Sequence, residues 1–129
     1  MGAPLVVLDA CVLVNISLCD TLLRLAEPPR LFEPVWSQEI LEETTRTLER
    51  KLGWPHGLVR HFESELRGHF SAAWVTGYEH LISGVTNNPK DRHVLAAANQ
   101  CRAPLILTFN LRFQVEHLAP WGITALHPQ

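Results

Sequence analysis

The chain has 129 residues, 47% hydrophobic and 19% charged, with a formal net charge of -2. That length supports one domain with one real core. The near-neutral balance excludes a protein that grips nucleic acid by overall positive charge, although a nuclease with an acidic site and a local basic rim remains compatible with it. Cys11, Cys19 and Cys101 are odd in number and lack C-x-x-C spacing, which argues against a disulfide framework or zinc ribbon and fits a reducing cytoplasm. No basic leader precedes the first apolar run, and Asp9 breaks that run long before it would span a bilayer. The expectation is a cytoplasmic protein with no membrane contact.

In chain order, Pro4 to Leu8 reads as a buried strand closed by Asp9. Helical spacing follows at Val12, Leu13 and Ile16, with a restart expected at Asp20-Thr21 and a stop at Pro28-Pro29. Leu31 to Trp36 reads as a second extended segment, which Pro34 assigns to a sheet edge or strand end. Ser37 is a good N-cap for a helix to about Leu52, ended by Gly53 and Pro55. His56 to Phe70 forms another helix, its apolar stripe drawn from Leu58, Val59, Phe62, Leu66 and Phe70. Trp74 to Ile82 has no clear period. A loop at Asn87-Asn88 leads into a helix from Pro89 to about Cys101. Leu105 to Thr108 reads as a buried strand, Val115 to Leu118 as a short helix, and Ile123 to Leu126 as a last strand. Strands alternating with helices predict a three-layer α/β/α sandwich around a mainly parallel sheet, formed by residues 1–129 as one domain.

Four polar residues recur at strand or helix ends: Asp9, Glu43, Asp91 and Asn110. In an open α/β sheet, the carboxyl ends of the strands form the ligand crevice. A pocket of carboxylate and amide oxygens there is stable mainly around a hard cation such as Mg²⁺. Each residue also has a plain structural reading. Asp9 can cap the next helix. Glu42 and Glu43 flank the stripe Ile40, Leu41, Thr44 and Leu48 on opposite sides, so periodicity does not choose between them. Asp91 fits a capping box with Asn88 as N-cap and Pro89 at the first helical position. Asn110 suits a turn. Among seven scattered histidines, His93 stands out because it lies two residues after Asp91. Phosphate-cradling glycine loops and a nucleophile elbow are absent from the sequence.

Four segments together resemble a PIN domain: Val7-Leu8-Asp9-Ala10; Trp36-Ser37-Gln38-Glu39-Ile40-Leu41-Glu42-Glu43; Pro89 through Ala98; and Leu107-Thr108-Phe109-Asn110-Leu111-Arg112. The last is similar to a bacterial subgroup with T-F-N in place of T-x-D. The resemblance implies an α/β/α nuclease that cuts RNA with Mg²⁺ or Mn²⁺, as do many toxins of VapBC-type toxin–antitoxin pairs. It implies Asp9, Glu43 and Asp91 as the acids and Asn110 where many relatives have a fourth acid. In such a site Asp9 and Asp91 are expected to ligate the metal directly, and Glu43 to hold a metal-bound water or ligate a second ion. The resemblance favours Glu43 over Glu42. It further implies RNA, an antitoxin protein and a second copy of the chain as partners. Arg92, Arg112, Arg46 and Lys51 are candidate phosphate contacts at the rim of such a site, with surface ion pairing the plainer reading of these basic residues and the favoured one for Lys51. Three departures weaken the expected site: Cys11 where Asn or Ser is usual, the uncharged Asn110, and Phe113 directly after Arg112 where an Asp is usual. The alternative expectations are an inactive domain of the same fold, acting in RNA binding or protein assembly, and a phosphoryl-transfer domain with Asp9 as nucleophile. Cys11 stands where a phosphatase of that kind needs its second acid.

Overall fold

The computed structural model describes residues 3–110 and 113–128; Arg112 lies outside the described residues. Four strands, β1 (Leu5–Leu8), β2 (Glu33–Val35), β3 (Leu105–Leu107) and β4 (Thr124–Leu126), form one parallel sheet in the order β2-β1-β3-β4. Pro34 sits in the edge strand β2, where its missing N–H costs least. The central strands are apolar on both faces, with Val6, Val7, Leu8 and Ile106 all buried, as expected of strands covered by helices on either side. From β1 the chain first moves out to β2, then returns past β1 to β3. That reversal makes the β1/β3 boundary a topological switch point, with a crevice at the carboxyl ends of the two strands.

Among the described residues, six α-helices accompany the strands: α1 (Ala10–Leu13), α2 (Ile16–Leu25), α3 (Gln38–Arg50), α4 (His56–His69), α5 (Arg92–Cys101) and α6 (Val115–Leu118). α5 packs on β1 and β3, and α3 packs on α1 and α4. The first helical stretch is broken earlier than the sequence predicts: Asn15, not Asp20, caps α2 by accepting from Leu18 N at 3.2 Å. Ile16 is consequently exposed. On α4, Val59 and Leu66 are buried, but Leu58 is exposed, so the stripe is narrower than the spacing predicts. Residues 71–91 contain three short 3₁₀ turns (Ser71–Ala73, Glu79–Gly84 and Pro89–Asp91) in place of longer periodic elements. Among the described residues, no helix is long and apolar enough to cross a membrane.

α3 bears Glu43, and one apolar face fixes the helix in place. Ile40, Leu41, Thr44 and Leu48 are fully buried along that face, and each large aliphatic among them contributes about 1.5–3 kcal/mol by leaving water. Ser37 caps the helix, its Oγ accepting from Ile40 N at 3.2 Å in a fully buried setting. Ser37→Ala is expected to lower unfolding stability by about 1–2 kcal/mol in a urea melt, because the Ile40 N–H loses its acceptor where water cannot replace it.

Candidate active site

Asp9 follows the last residue of β1. Its backbone N–H still donates to Leu107 O at 3.1 Å, so the strand pairing itself fixes where the carboxylate starts. Oδ1 accepts from Ala10 N at 2.8 Å, which makes Asp9 the N-cap of α1. Oδ2 accepts from Thr108 Oγ1, also at 2.8 Å. The cap therefore uses Oδ1, while Oδ2 is bonded to a residue at the end of a second strand. Asp9 is buried, and burial is the largest influence raising its pKa above the ordinary carboxylate range. The hydrogen bonds from Thr108 and Ala10 work the other way, and the nearby charges of Glu43 and Asp91 add to the rise.

Thr108 organises the far side of the crevice. Its Oγ1 also accepts from Asn110 N at 3.0 Å, holding the turn that carries Asn110. Asn110 Nδ2 in turn donates to Asp91 Oδ2 at 3.1 Å. Asp91 is buried at the end of the 3₁₀ turn that Asn88 caps through Lys90 N, immediately ahead of α5. A chain of hydrogen bonds thus links Asp9, Thr108, Asn110 and Asp91 across three segments of sequence. Cys11 Sγ lies 3.7 Å from Asp9 Oδ2, 3.4 Å from Thr108 Oγ1, and accepts from Phe109 N at 3.3 Å. Burial and the Asp9 charge push the Cys11 thiol up, so it stays protonated and behaves as a polar spacer.

One open cavity of ≈ 380 Å³ is lined by Asp9, Cys11, Glu43, Asp91 and Asn110, with Phe109, Thr47 and Lys51 among its other walls. Glu43, Thr47 and Lys51 recur every fourth residue, the spacing that puts side chains in one row on a helix. Glu42 is exposed and does not line the cavity. Arg46 is exposed and also does not line it. Arg92 does not line it either, and its Nε donates to Asn87 O at 2.9 Å. Lys51 is the basic side chain that reaches the cavity among the described residues.

His93 enters from α5. Its Nε2 lies 3.0 Å from Glu43 Oε1. Burial opposes the charged imidazolium, but the hydrogen bond and charge of Glu43, with smaller contributions from Glu39 and Asp9, outweigh it and raise the His93 pKa. Sequence spacing points to neither Thr108 nor the Glu43–His93 contact. The available signal for Thr108 is a hydroxyl closing an otherwise apolar strand.

No group of three His, Cys, Asp or Glu side chains among the described residues is close enough to hold a metal ion unaided. Mg²⁺ does not require such a cage, because it keeps several waters and usually takes one or two carboxylates with substrate phosphate. The donors facing the cavity are oxygens, and the one sulfur there is kept protonated, which suits a hard cation better than a soft one. The raised pKa of Asp9, caused in part by two neighbouring acids, is the kind of electrostatic cost a divalent cation relieves. On this chemistry the residues present fit Mg²⁺ or Mn²⁺.

A family model described as "PIN domain" matches residues 5–112. A protein of Mycobacterium tuberculosis named "Putative ribonuclease VapC50" is 49% identical over 59 residues, 45% of this chain and 35% of that protein. The match therefore spans about a third of the relative's length.

Proposed function

Because the chain belongs to the PIN domain family, we propose that it is a divalent-metal-dependent endoribonuclease, the toxin of a VapBC-type toxin–antitoxin pair, with Asp9, Glu43, Asp91 and Asn110 as its site. The observation that carries this reading is the meeting of those four side chains, drawn from four separate segments, around one cavity at the β1/β3 switch point. The name of the mycobacterial relative supports the choice of RNA and of the toxin class.

Asp9 and Asp91 would hold the ion, with Glu43 as a further ligand or as the holder of a water. When bound, the ion supplies positive charge for a phosphodiester oxygen and lowers the pKa of an attacking water. Glu43, half-exposed beside the cavity, is placed to accept a proton from that water. The Asn110 amide, tied to Asp91, orients water or a phosphate oxygen. Lys51 draws RNA phosphates to the mouth, Arg92 and Arg46, which do not line the cavity, contribute phosphate contacts farther out, and Arg112 is a further candidate for such a contact. In-line attack by water leaves a 5′ phosphate and a 3′ hydroxyl. With one acid replaced by Asn110, the site carries less negative charge, so the ion is bound more weakly and turnover is low.

Purified protein incubated with single-stranded and hairpin RNAs should cleave them in millimolar Mg²⁺ or Mn²⁺ and stop in excess chelator. A small protein encoded beside it is expected to be its antitoxin and to suppress that cleavage on co-expression, and the free protein should run as a homodimer. The absence of a close-set trio of ligands among the described residues favours one other reading, an RNA-binding or assembly module of the same fold. Calorimetry that detects no heat with either ion at millimolar concentration, together with intact RNA, would decide for the module.

A further inference from the structure

We propose that His93 is a positioning residue that anchors Glu43 toward the Asp9–Asp91 cavity. The inference rests on the nuclease reading. Glu43 is the least confined acid of the site: its side chain is 40% exposed, whereas Asp9 and Asp91 are 7% and 8% exposed as residues. A long side chain on a solvent-facing helix row samples several rotamers, and the entropy of fixing it is among the largest of any residue. The contact from His93 Nε2 to Glu43 Oε1, at 3.0 Å, selects among those rotamers. The opposite partner is itself rigid. His93 is buried on α5, the helix that packs on the two central strands and starts directly after Asp91. One helix start therefore sets both the Asp91 carboxylate and the anchor for Glu43.

The far side of the ring supports a dedicated role. His93 Nδ1 is buried with no hydrogen-bond partner. A position needed only for packing would be filled at less cost by Leu or Phe, with no polar atom to leave unsatisfied. An imidazole here has one productive polar contact, and that contact is Glu43. Outer partners of this kind orient ligating carboxylates, and losing one typically costs about 10–100-fold in metal affinity or activity.

The test is a cycle of His93→Leu, His93→Gln, Glu43→Ala and the double variant His93→Leu/Glu43→Ala, read by Mn²⁺ dissociation constant in calorimetry and by kcat and KM on RNA. His93→Leu is expected to weaken Mn²⁺ binding and lower kcat by about 10-fold or more, leaving KM for RNA within about twofold. His93→Gln keeps an N–H at similar reach and should recover most of both. In the Glu43→Ala background, His93→Leu should add less than about twofold. A loss from His93→Leu that is as large without Glu43 as with it overturns the proposal, as does wild-type behaviour of His93→Leu. Should His93→Leu fail to fold in a thermal melt, His93→Asn, too short to reach Glu43, takes its place, and Asn equal to Gln overturns the proposal. Wild-type protein that neither binds Mn²⁺ nor cleaves RNA removes the nuclease reading and this inference together. Wild-type protein that does both, with an unaffected His93 variant, removes the role of His93 alone.

Discussion

Asp9→Asn is expected to reduce metal-dependent RNA cleavage by on the order of 100-fold or more, the scale seen when one preorganised electrostatic group is removed from a site. The substitution is nearly isosteric. The amide oxygen can still accept from Ala10 N, so the α1 cap survives, and the amide N–H can turn toward Thr108 Oγ1. Loss of activity would therefore report lost charge, not lost fold. Stability gives an independent reading of the same group. Folding raises the Asp9 pKa, so the protonated form is favoured in the native state. The metal-free protein is thus relatively more stable at low pH and loses that advantage as pH rises from the ordinary carboxylate range through the raised value. Asp9→Asn lacks this loss. In chelator, its melting temperature should exceed that of wild type at neutral pH, by an amount equivalent to about 1 kcal/mol, and the difference should shrink toward acid. Added Mn²⁺ should narrow the gap by stabilising the wild type alone. An Asp9→Asn protein that cleaves RNA as fast as wild type would sink the assignment.

Trp36→Ala carries the largest expected cost in stability, about 3–5 kcal/mol. Trp36 is fully buried next to β2 and forms an isolated parallel bridge with Trp74: its N–H donates to Ala73 O at 3.0 Å and its carbonyl accepts from Val75 N at 2.8 Å. The ring meets Trp74 and Phe70 edge-on, with centroids 5.3 and 6.1 Å away. This cluster ties the sheet edge to the 3₁₀ segment after α4, and it immediately precedes Ser37, the cap of the helix that bears Glu43. For a chain of this size the change should lower the melting temperature by roughly 10–20 °C. Trp36→Phe should cost less, about 1–2 kcal/mol, because it leaves a much smaller cavity. It keeps an aromatic body and removes Nε1, which is buried with no hydrogen-bond partner. Equal losses for the two variants would show that ring packing is not what Trp36 supplies.

The parts of the fold that the sequence disclosed are those whose signals are local. The apolar runs Leu5–Leu8 and Leu105–Leu107, the Ser37 cap and the α3 stripe all appear where spacing puts them. Trp74 to Ile82 gave no periodic signal: Val75 is held by backbone pairing with Trp36, distant in sequence, and a 3₁₀ turn follows over Glu79–Gly84. Leu58 fits a helical stripe by spacing yet is exposed, since a period fixes a direction on the helix but not how wide a partner surface meets it. In the site, Asp9 was visible as a carboxylate ending a strand. Glu42 and Glu43 were indistinguishable by period, and only the PIN resemblance separated them. The same limit applies to basic residues. Arg46 lies on α3 and Lys51 at its C-terminal cap, but Lys51 continues the Glu43 row and lines the cavity while Arg46 does not. No local rule reveals that His93 and Glu43 meet, because their contact depends on how α5 and α3 sit across the molecule.

Asp9 and Thr108 share a hydrogen bond although 99 positions separate them along the chain. The crevice is consequently assembled by a highly non-local closure of the polypeptide, between β1 and β3, and a truncated product ending before residue 105 would contain Asp9, Glu43 and Asp91 without the wall that aligns them. A nascent chain on the ribosome is in that condition until β3 has emerged. On the proposed nuclease reading, catalytic competence would be tied to synthesis past that strand, and an ion held among these oxygens would join early and late stretches of the polypeptide, a clasp on the entire domain.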